Sequence, residues 1–160
     1  MDDPRFRNEI LGRFRARTHE VPAGGPVATP ASHRDAAPLI RTGEAENRNC
    51  GDRLSISLLL NSSGRIERAG FQAEGCSILV AAGDMVCELL EGKTIESAAG
   101  LMHDALYLFR NGAQPQLPAS FADLTHEQLA SLDTILALRE YPARLKCGTL
   151  PFSAGLAAVE

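Results

Sequence analysis

Hydrophobic and polar residues alternate over one short stretch near the middle of the chain. Within residues 53–60, leucine or isoleucine occupies every second position from Leu54 onward, and Ser55 and Ser57 separate the first three. Side chains two residues apart lie on the same face of a strand, so the pattern predicts a β-strand with one apolar face. Turn-forming residues follow at 61–64, and a second segment extends over residues 65–74. Together the two segments predict an antiparallel hairpin.

After this hairpin, hydrophobic residues recur at three- and four-residue intervals, the period of an amphipathic helix. A first helix is predicted over residues 77–91, with Gly92 ending it, and a second from Thr94 to about residue 109. Thr125 and Gln128 match a capping box that opens a third helix, and Pro142 terminates that helix. A last helix, rich in small residues, is predicted over residues 149–159.

The N-terminal part of the chain has a different pattern. Phe6, Ile10 and Phe14 are spaced four residues apart and predict a short helix. Residues 18–42 are rich in proline and glycine, which predicts an extended or mobile linker that buries little apolar surface. We therefore divide the chain into an N-terminal helix and linker (1–46) and a folded domain (47–160). The order of elements predicts an α+β fold, with a small antiparallel β-sheet packed against several helices.

Composition and charge exclude several classes of protein. The formal net charge is −4, so the basic surface typical of nucleic-acid binding is not expected. No segment approaches the roughly 18 consecutive apolar residues of a membrane-spanning helix, and the first residues lack the apolar stretch of a secretory signal. We therefore expect a cytoplasmic protein without nucleic-acid or membrane partners. In that compartment its four cysteines would be reduced thiols available for metal binding or sulfur chemistry.

Three of the cysteines lie at predicted element boundaries. Cys50 precedes the first strand, Cys76 lies between a strand and a helix, and Cys147 opens the last helix. Unpaired amides and the helix dipole at a helix N-terminus favour the thiolate form of cysteine. Asp52 adds a carboxylate near Cys50. Three thiolates and one carboxylate suit tetrahedral zinc or an iron of a cluster, although the spacing alone favours three unrelated cysteines.

We expect the remaining cysteine and the four histidines to lie outside the candidate metal site. Cys87 lies in the middle of an apolar helix, where a buried and inert thiol is expected. The histidines fall in the predicted linker or on predicted helices, and we expect ordinary surface roles for all four: His19, His33, His103 and His126.

Four motifs connect the boundary cysteines to a known family. They are Cys50-Gly-Asp-Arg, Glu74-Gly-Cys-Ser-Ile, Glu91-Gly-Lys and the stretch 141–150, Tyr-Pro-Ala-Arg-Leu-Lys-Cys-Gly-Thr-Leu. In this order they resemble motifs of the NifU/IscU-like family of iron–sulfur assembly proteins, over about residues 47–158. The resemblance implies the NifU/IscU-like (SufE/NifU-type) fold. It also implies that the metal ligands are Cys50, Asp52, Cys76 and Cys147.

Two features resemble the SufU branch of that family. Lys146 occupies the position at which IscU-type scaffolds carry a histidine, and residues 117–140 lengthen the connection between the second and third cysteines. The family pattern is interrupted at residues 13–17, at Arg48, and at residues 81–84, where Ala-Ala-Gly-Asp replaces a run containing serine. These interruptions concern N-terminal packing and docking and leave the metal ligands intact.

The SufU resemblance implies a zinc-dependent sulfur acceptor or carrier, with Cys50 taking persulfide sulfur from a SufS-like cysteine desulfurase. The other three ligands would hold zinc, and a downstream cluster-assembly scaffold would receive the sulfur. Arg144 and Lys146 lie close in sequence to Cys147 and either stabilise a thiolate or bind an acidic partner, or are simply a solvated pair of charges. As an enzyme, such a protein would be a sulfurtransferase. Two alternatives stay open: a scaffold that binds iron or a 2Fe–2S cluster, and a non-catalytic zinc-binding interaction module.

Overall fold

The protein folds as a three-stranded antiparallel sheet with five α-helices, within the residues described by the computed structural model: 3–22, 27, 39–112 and 114–160. The predicted α+β class is confirmed. In chain order the elements are α1 (Pro4–Ala16), β1 (Leu39–Asn47), β2 (Asp52–Leu60), β3 (Ile66–Glu74), α2 (Ser77–Leu90), α3 (Ile95–Asn111), α4 (His126–Leu136) and α5 (Leu145–Val159). Short 3-10 turns accompany α4 and α5, at Ala119–Phe121, Ala137–Glu140 and Pro142–Arg144.

The predicted hairpin is the pair β2–β3, with β2 at the centre of the sheet. Ile56 lies opposite Phe71 in its antiparallel register, and both side chains are fully buried. The helix α2 packs closely here, because a methyl group added at Gly83 would lie 2.9 Å from side-chain atoms of both Leu54 and Phe71. The alternating pattern therefore buries one strand face beneath α2, as the sequence predicted.

The strand β1 is not predicted by the sequence pattern. It pairs with β2 along its whole length, so the linker prediction is wrong for residues 39–42. Only Gly43 of this strand is buried, and a side chain there would collide with the backbone of Ala154 and Ala158 in α5. The strand thus depends on pairing and on a close helix contact, neither of which produces an alternating hydrophobic pattern. The division of the chain at residue 46 stays a prediction.

A second part of the predicted linker is hydrogen-bonded to the sheet. The amide of Phe71 donates to the carbonyl oxygen of His19 (2.9 Å), and the amide of Val21 donates to the carbonyl oxygen of Phe71 (2.9 Å). The side chain of Gln72 donates to the carbonyl oxygen of Pro22 (2.6 Å). The linker prediction is therefore wrong here as well. Residues 23–26 and 28–38 of the predicted linker lie outside the described residues.

The predicted helices are present with small differences at their ends. The capping box of Thr125 and Gln128 is confirmed at the start of α4. The last helix begins at Leu145, earlier than predicted, so Cys147 lies in its first turn. None of the described helices is both long enough and apolar enough to cross a membrane.

Candidate metal centre

Asp52, Cys76 and Cys147 converge at one edge of the fold. Asp52 is the first residue of β2, Cys76 is the N-cap of α2, and Cys147 lies in the first turn of α5. One ligand atom from each residue lies within 4.8 Å of the other two. The Sγ atoms of Cys76 and Cys147 are 3.4 Å apart, and the Cys147 Sγ is 3.7 Å from Asp52 Oδ2. We call these three residues the donor group.

Gly75 allows the donor group to form. A methyl group added to Gly75 would lie 2.8 Å from Asp52 Oδ1 and 2.7 Å from Leu79 Cδ2, which is closer than real side-chain contacts. The absence of a side chain therefore lets the Asp52 carboxylate approach the N-terminus of α2. This gives the Glu74-Gly-Cys motif a physical function, because glycine is required for close approach and not only for a turn.

The hydrogen bond between the two thiols of the donor group shifts their pKa values in opposite directions. The hydrogen bond with Cys147, assisted by the amides of Leu79 and Ile78, lowers the pKa of Cys76 to about 6 against the effect of burial and of Asp52. The same hydrogen bond, burial and the negative charges nearby raise the pKa of Cys147 far above its ordinary value. The pair therefore releases its first proton more readily than an isolated thiol does and holds its second proton more tightly.

The donor group fits a tetrahedral metal ion. Two thiol sulfurs and a carboxylate are ligands that zinc accepts, and thiolate sulfur also binds iron. Two sulfurs bound tetrahedrally at about 2.3 Å lie about 3.8 Å apart, so the observed 3.4 Å spacing requires a movement of only a few tenths of an ångström. The donor group therefore offers three candidate ligands for such a site.

Cys50 is separate from the donor group. It lies in the exposed turn that connects β1 to β2, where Gly51 adopts a positive φ of 79°. Its Sγ accepts a hydrogen bond from the Asn47 side-chain amide at 3.0 Å. The structure therefore brings together three of the four residues predicted as ligands, and the participation of Cys50 in metal binding stays a prediction.

Arg144 and Lys146 flank Cys147 at the start of α5. Both side chains are exposed, and Arg144 is the N-cap of the helix. Neither forms a side-chain hydrogen bond or ion pair with another residue in the described part of the chain. They neighbour Cys147 along the chain, and a functional role for them stays a prediction.

The expectation for Cys87 is confirmed. Its side chain is fully buried in α2, where burial and the nearby Asp84 and Glu91 raise the pKa of the thiol well above its ordinary value. A protonated, inaccessible thiol of this kind is chemically inert. The histidines differ among themselves: His103 and His126 are exposed as expected, and His33 lies outside the described residues.

The expectation of a surface role is wrong for His19. Its side chain is only 13% exposed, its Nδ1 lies 3.1 Å from Asp84 Oδ1, and its Nε2 lies 3.8 Å from Glu91 Oε2. Burial works to lower the pKa of His19, but the hydrogen bonds to these two carboxylates outweigh it and raise the pKa to about 9. The residue is therefore a charged partner of the core helix.

Asp84 belongs to an ionic cluster that no pattern or motif of the sequence predicts. Its carboxylate is fully buried and contacts Arg13 Nη1 at 3.3 Å. The same guanidinium donates to Glu88 Oε2 (2.7 Å) and to Ser131 Oγ (2.9 Å). Arg13 therefore links α1 to α2 and α4. The available signal was an aspartate in an otherwise apolar helix, since a buried carboxylate requires a partner.

Comparisons with known proteins agree with this geometry. A family profile described as the NifU-like N terminal domain matches residues 28–147. The zinc-dependent sulfurtransferase SufU of Bacillus subtilis is 30% identical over 111 residues, which are 69% of this chain and 69% of that protein. The iron–sulfur cluster assembly scaffold protein IscU of Streptococcus pyogenes is 26% identical over 111 residues, 69% of this chain and 64% of that relative, slightly less than two thirds.

Solved structures show the same fold. The crystal structure of an iron–sulfur cluster assembly scaffold protein for the SUF system from Fervidobacterium islandicum superposes with a TM-score of 0.68. The alignment covers 95% of this chain and 94% of that one at 20% sequence identity, so it concerns the fold alone. The resemblance to the NifU/IscU-like family and its SufU branch is thereby confirmed. Since the profile covers most of the sequence, and the donor group lies within the matched residues, the chain belongs to the family of NifU-like N-terminal domains.

Proposed function

We propose that this protein is a sulfur acceptor and carrier in iron–sulfur cluster assembly, which takes persulfide sulfur from a SufS-like cysteine desulfurase. The observation that carries the proposal is the separation of one exposed thiol, Cys50, from a donor group of two thiols and a carboxylate. A sulfur acceptor needs an accessible nucleophile, and the donor group provides a place for a metal beside it. The similarity to a zinc-dependent sulfurtransferase supports the same function.

The transfer is a thiol–disulfide exchange. The Cys50 thiolate attacks the outer sulfur of the desulfurase persulfide, forming a new S–S bond to that sulfur. The S–S bond of the desulfurase persulfide breaks, and the desulfurase cysteine leaves as a thiolate with the bonding electron pair. Cys50 then carries the persulfide, and no external oxidant or reductant is consumed. A thiolate of a downstream cluster-assembly scaffold takes the sulfur by the same exchange.

Asp52, Cys76 and Cys147 would hold zinc, with Cys50 as the fourth ligand. Bound zinc would keep its thiol ligands deprotonated and protected from oxidation. Arg144 and Lys146 place positive charge at the exposed start of α5, where they would stabilise a thiolate or contact an acidic surface of the desulfurase. We place this activity in the cytoplasm, where reduced thiols persist.

A second candidate function is that of a scaffold for a 2Fe–2S cluster. The closely spaced sulfurs of Cys76 and Cys147 favour it, because thiolates are the usual ligands of such clusters. Lys146 opposes it, since lysine replaces the histidine that precedes the third cysteine in IscU-type scaffolds. A non-catalytic zinc module is less well supported, because structural zinc sites are closed by four Cys or His ligands.

Sulfur uptake and metal content test these functions together. Incubation with a cysteine desulfurase and cysteine should load wild-type protein with sulfane sulfur, and Cys50→Ala should abolish the loading while zinc binding is only weakened. The Cys87→Ala variant is the matched control and should load normally, since its thiol is buried. Colourless protein with one zinc agrees with the proposal, whereas brown protein with iron and acid-labile sulfide would establish the scaffold function instead.

A further inference from the structure

The turn that carries Cys50 is organised by the side chain and backbone of Asn47. The Asn47 carbonyl oxygen accepts hydrogen bonds from the amides of Gly51 (2.9 Å) and Cys50 (3.3 Å). The Asn47 side-chain oxygen accepts from the amide of Asn49 (3.2 Å). The orientation of the side-chain amide is thus fixed by its oxygen, which directs its nitrogen toward the sulfur of Cys50.

The side-chain nitrogen of Asn47 then binds the thiol directly. Its distance to Cys50 Sγ is 3.0 Å, and an amide nitrogen can act only as the donor in this contact. The sulfur therefore accepts this hydrogen bond through a lone pair, and as a thiol it also donates to the Asn47 carbonyl oxygen at 3.9 Å. The bond also accounts for the position of Cys50, whose sulfur lies outside the donor group although Asp52 is only two residues away.

We propose that Asn47 is a positioning residue for sulfur transfer, which holds the Cys50 sulfur outside the donor group and exposed to the persulfide of the desulfurase. The inference rests on the proposed function, because it concerns the thiol that function assigns as acceptor. The sulfur of Cys50 cannot occupy the Asn47 position and a ligand position in the donor group at the same time. Asn47 therefore favours the outward, reactive position over the ligand position.

This competition predicts opposite effects on transfer and on zinc binding. In Asn47→Ala the outward position loses its hydrogen bond, so sulfur uptake by Cys50 should slow about three- to tenfold, the range expected from one such bond. Zinc should be retained more strongly by a similar factor, since Cys50 is freed to join the donor group. A merely structural loosening of the turn would instead weaken zinc binding along with sulfur uptake.

Two further variants separate the donor nitrogen from the turn structure. Asn47→Asp keeps an oxygen for the amide of Asn49 but replaces the nitrogen that reaches the sulfur. If the hydrogen bond from the Asn47 side-chain nitrogen positions the sulfur, sulfur uptake in Asn47→Asp should be as slow as in Asn47→Ala. Asn49→Ala is the control in the same turn, because the Asn49 side chain forms no hydrogen bond with Cys50. This variant should take up sulfur and retain zinc as the wild type does. Thermal unfolding of each variant verifies that it is folded.

The experiment measures single-turnover persulfide formation with excess desulfurase, zinc retention against a competing chelator, and alkylation of Cys50 in metal-free protein. Slower uptake with tighter zinc in Asn47→Ala, together with slower alkylation, supports the inference. Wild-type rates in Asn47→Ala, or in Asn47→Asp alone, would overturn it, as would a parallel loss of zinc. If wild-type protein acquires no sulfur on Cys50, the proposed function itself fails, which is a distinguishable result.

Discussion

At the scale of single residues, Gly75 determines where the Asp52 carboxylate lies. The space that a side chain would occupy is filled by the carboxylate and by Leu79. The Asp52 carboxylate can therefore come close enough to the Gly75 backbone to join Cys76 and Cys147 in the donor group. We therefore expect Gly75 to affect metal binding although it offers no ligand atom itself.

The Gly75→Ala substitution should accordingly weaken zinc binding at least tenfold. The added methyl group displaces Asp52 from the donor group, since an overlap at 2.8 Å must be relieved by movement. Competition with a chelator measures the affinity, and thermal unfolding measures stability. Gly12→Ala is the control, because nothing lies within 4 Å of the added methyl group there. Unchanged zinc affinity in Gly75→Ala would mean that Asp52 is not a ligand.

His19 makes the stability of the protein depend on pH. Its pKa is about 9 in the folded protein against an ordinary value of 6.5, so its protonated form stabilises the fold. This contribution is fully present below about pH 6.5 and is lost as the pH rises through about 9. The difference between the two pKa values corresponds to at most about 3–4 kcal/mol of unfolding free energy.

We therefore expect His19→Gln to remove part of the loss of stability between pH 6.5 and 9. Denaturant unfolding at several pH values measures this, and the comparison with wild type cancels the contribution of the other titrating groups. His103→Gln is the matched control, since His103 is exposed, and should leave the pH profile unchanged. Parallel curves for wild type and His19→Gln would show that the contact with Asp84 carries no net energy.

At the scale of elements, the ionic cluster of Arg13 attaches the N-terminal helix to the core. Arg13 lies on α1, Asp84 and Glu88 on α2, and Ser131 on α4. Two of the interruptions of the family pattern, at residues 13–17 and 81–84, contain the two sides of this contact. The two segments therefore lie against each other in the fold, joined by the contacts of Arg13 with α2.

Removing Arg13 should destabilise the fold markedly. Arg13→Met leaves the fully buried Asp84 with His19 as its remaining charged partner, which costs about 2–3 kcal/mol of unfolding free energy. Arg15→Met is the control on the same helix, because Arg15 is exposed, and should change stability by less than about 0.5 kcal/mol. Equal stabilities of the two variants, measured by denaturant unfolding, would contradict this account of the cluster.

At the scale of the whole molecule, the sequence predicts what depends on hydrophobic period and on motifs. The hairpin β2–β3, helices α2–α4 and the convergence of Asp52, Cys76 and Cys147 follow from such patterns. The strand β1 could not be predicted, because its one buried position is a glycine that touches α5. For the buried pair of His19 and Asp84, the aspartate in an apolar helix indicates that a partner is needed. The identity of that partner could not be predicted, because the pairing is a tertiary contact.

The position of Cys50 is the other feature that sequence could not predict. Motif resemblance assigns four ligands, whereas the structure holds Cys50 at Asn47, through a side chain that no motif singled out. The difference is functional in our account, because the separate thiol is the proposed nucleophile.

The most direct test of this account is mass spectrometry of cysteine-containing peptides after incubation with a cysteine desulfurase and cysteine. We predict one additional sulfur on the peptide that carries Cys50, and none on those that carry Cys76, Cys87 or Cys147. In Cys147→Ala and Asp52→Ala, metal binding should be lost first and the sulfur on Cys50 reduced as a consequence. Sulfur found on Cys147, with Cys50→Ala still accepting it, would contradict the assignment of Cys50 as the acceptor.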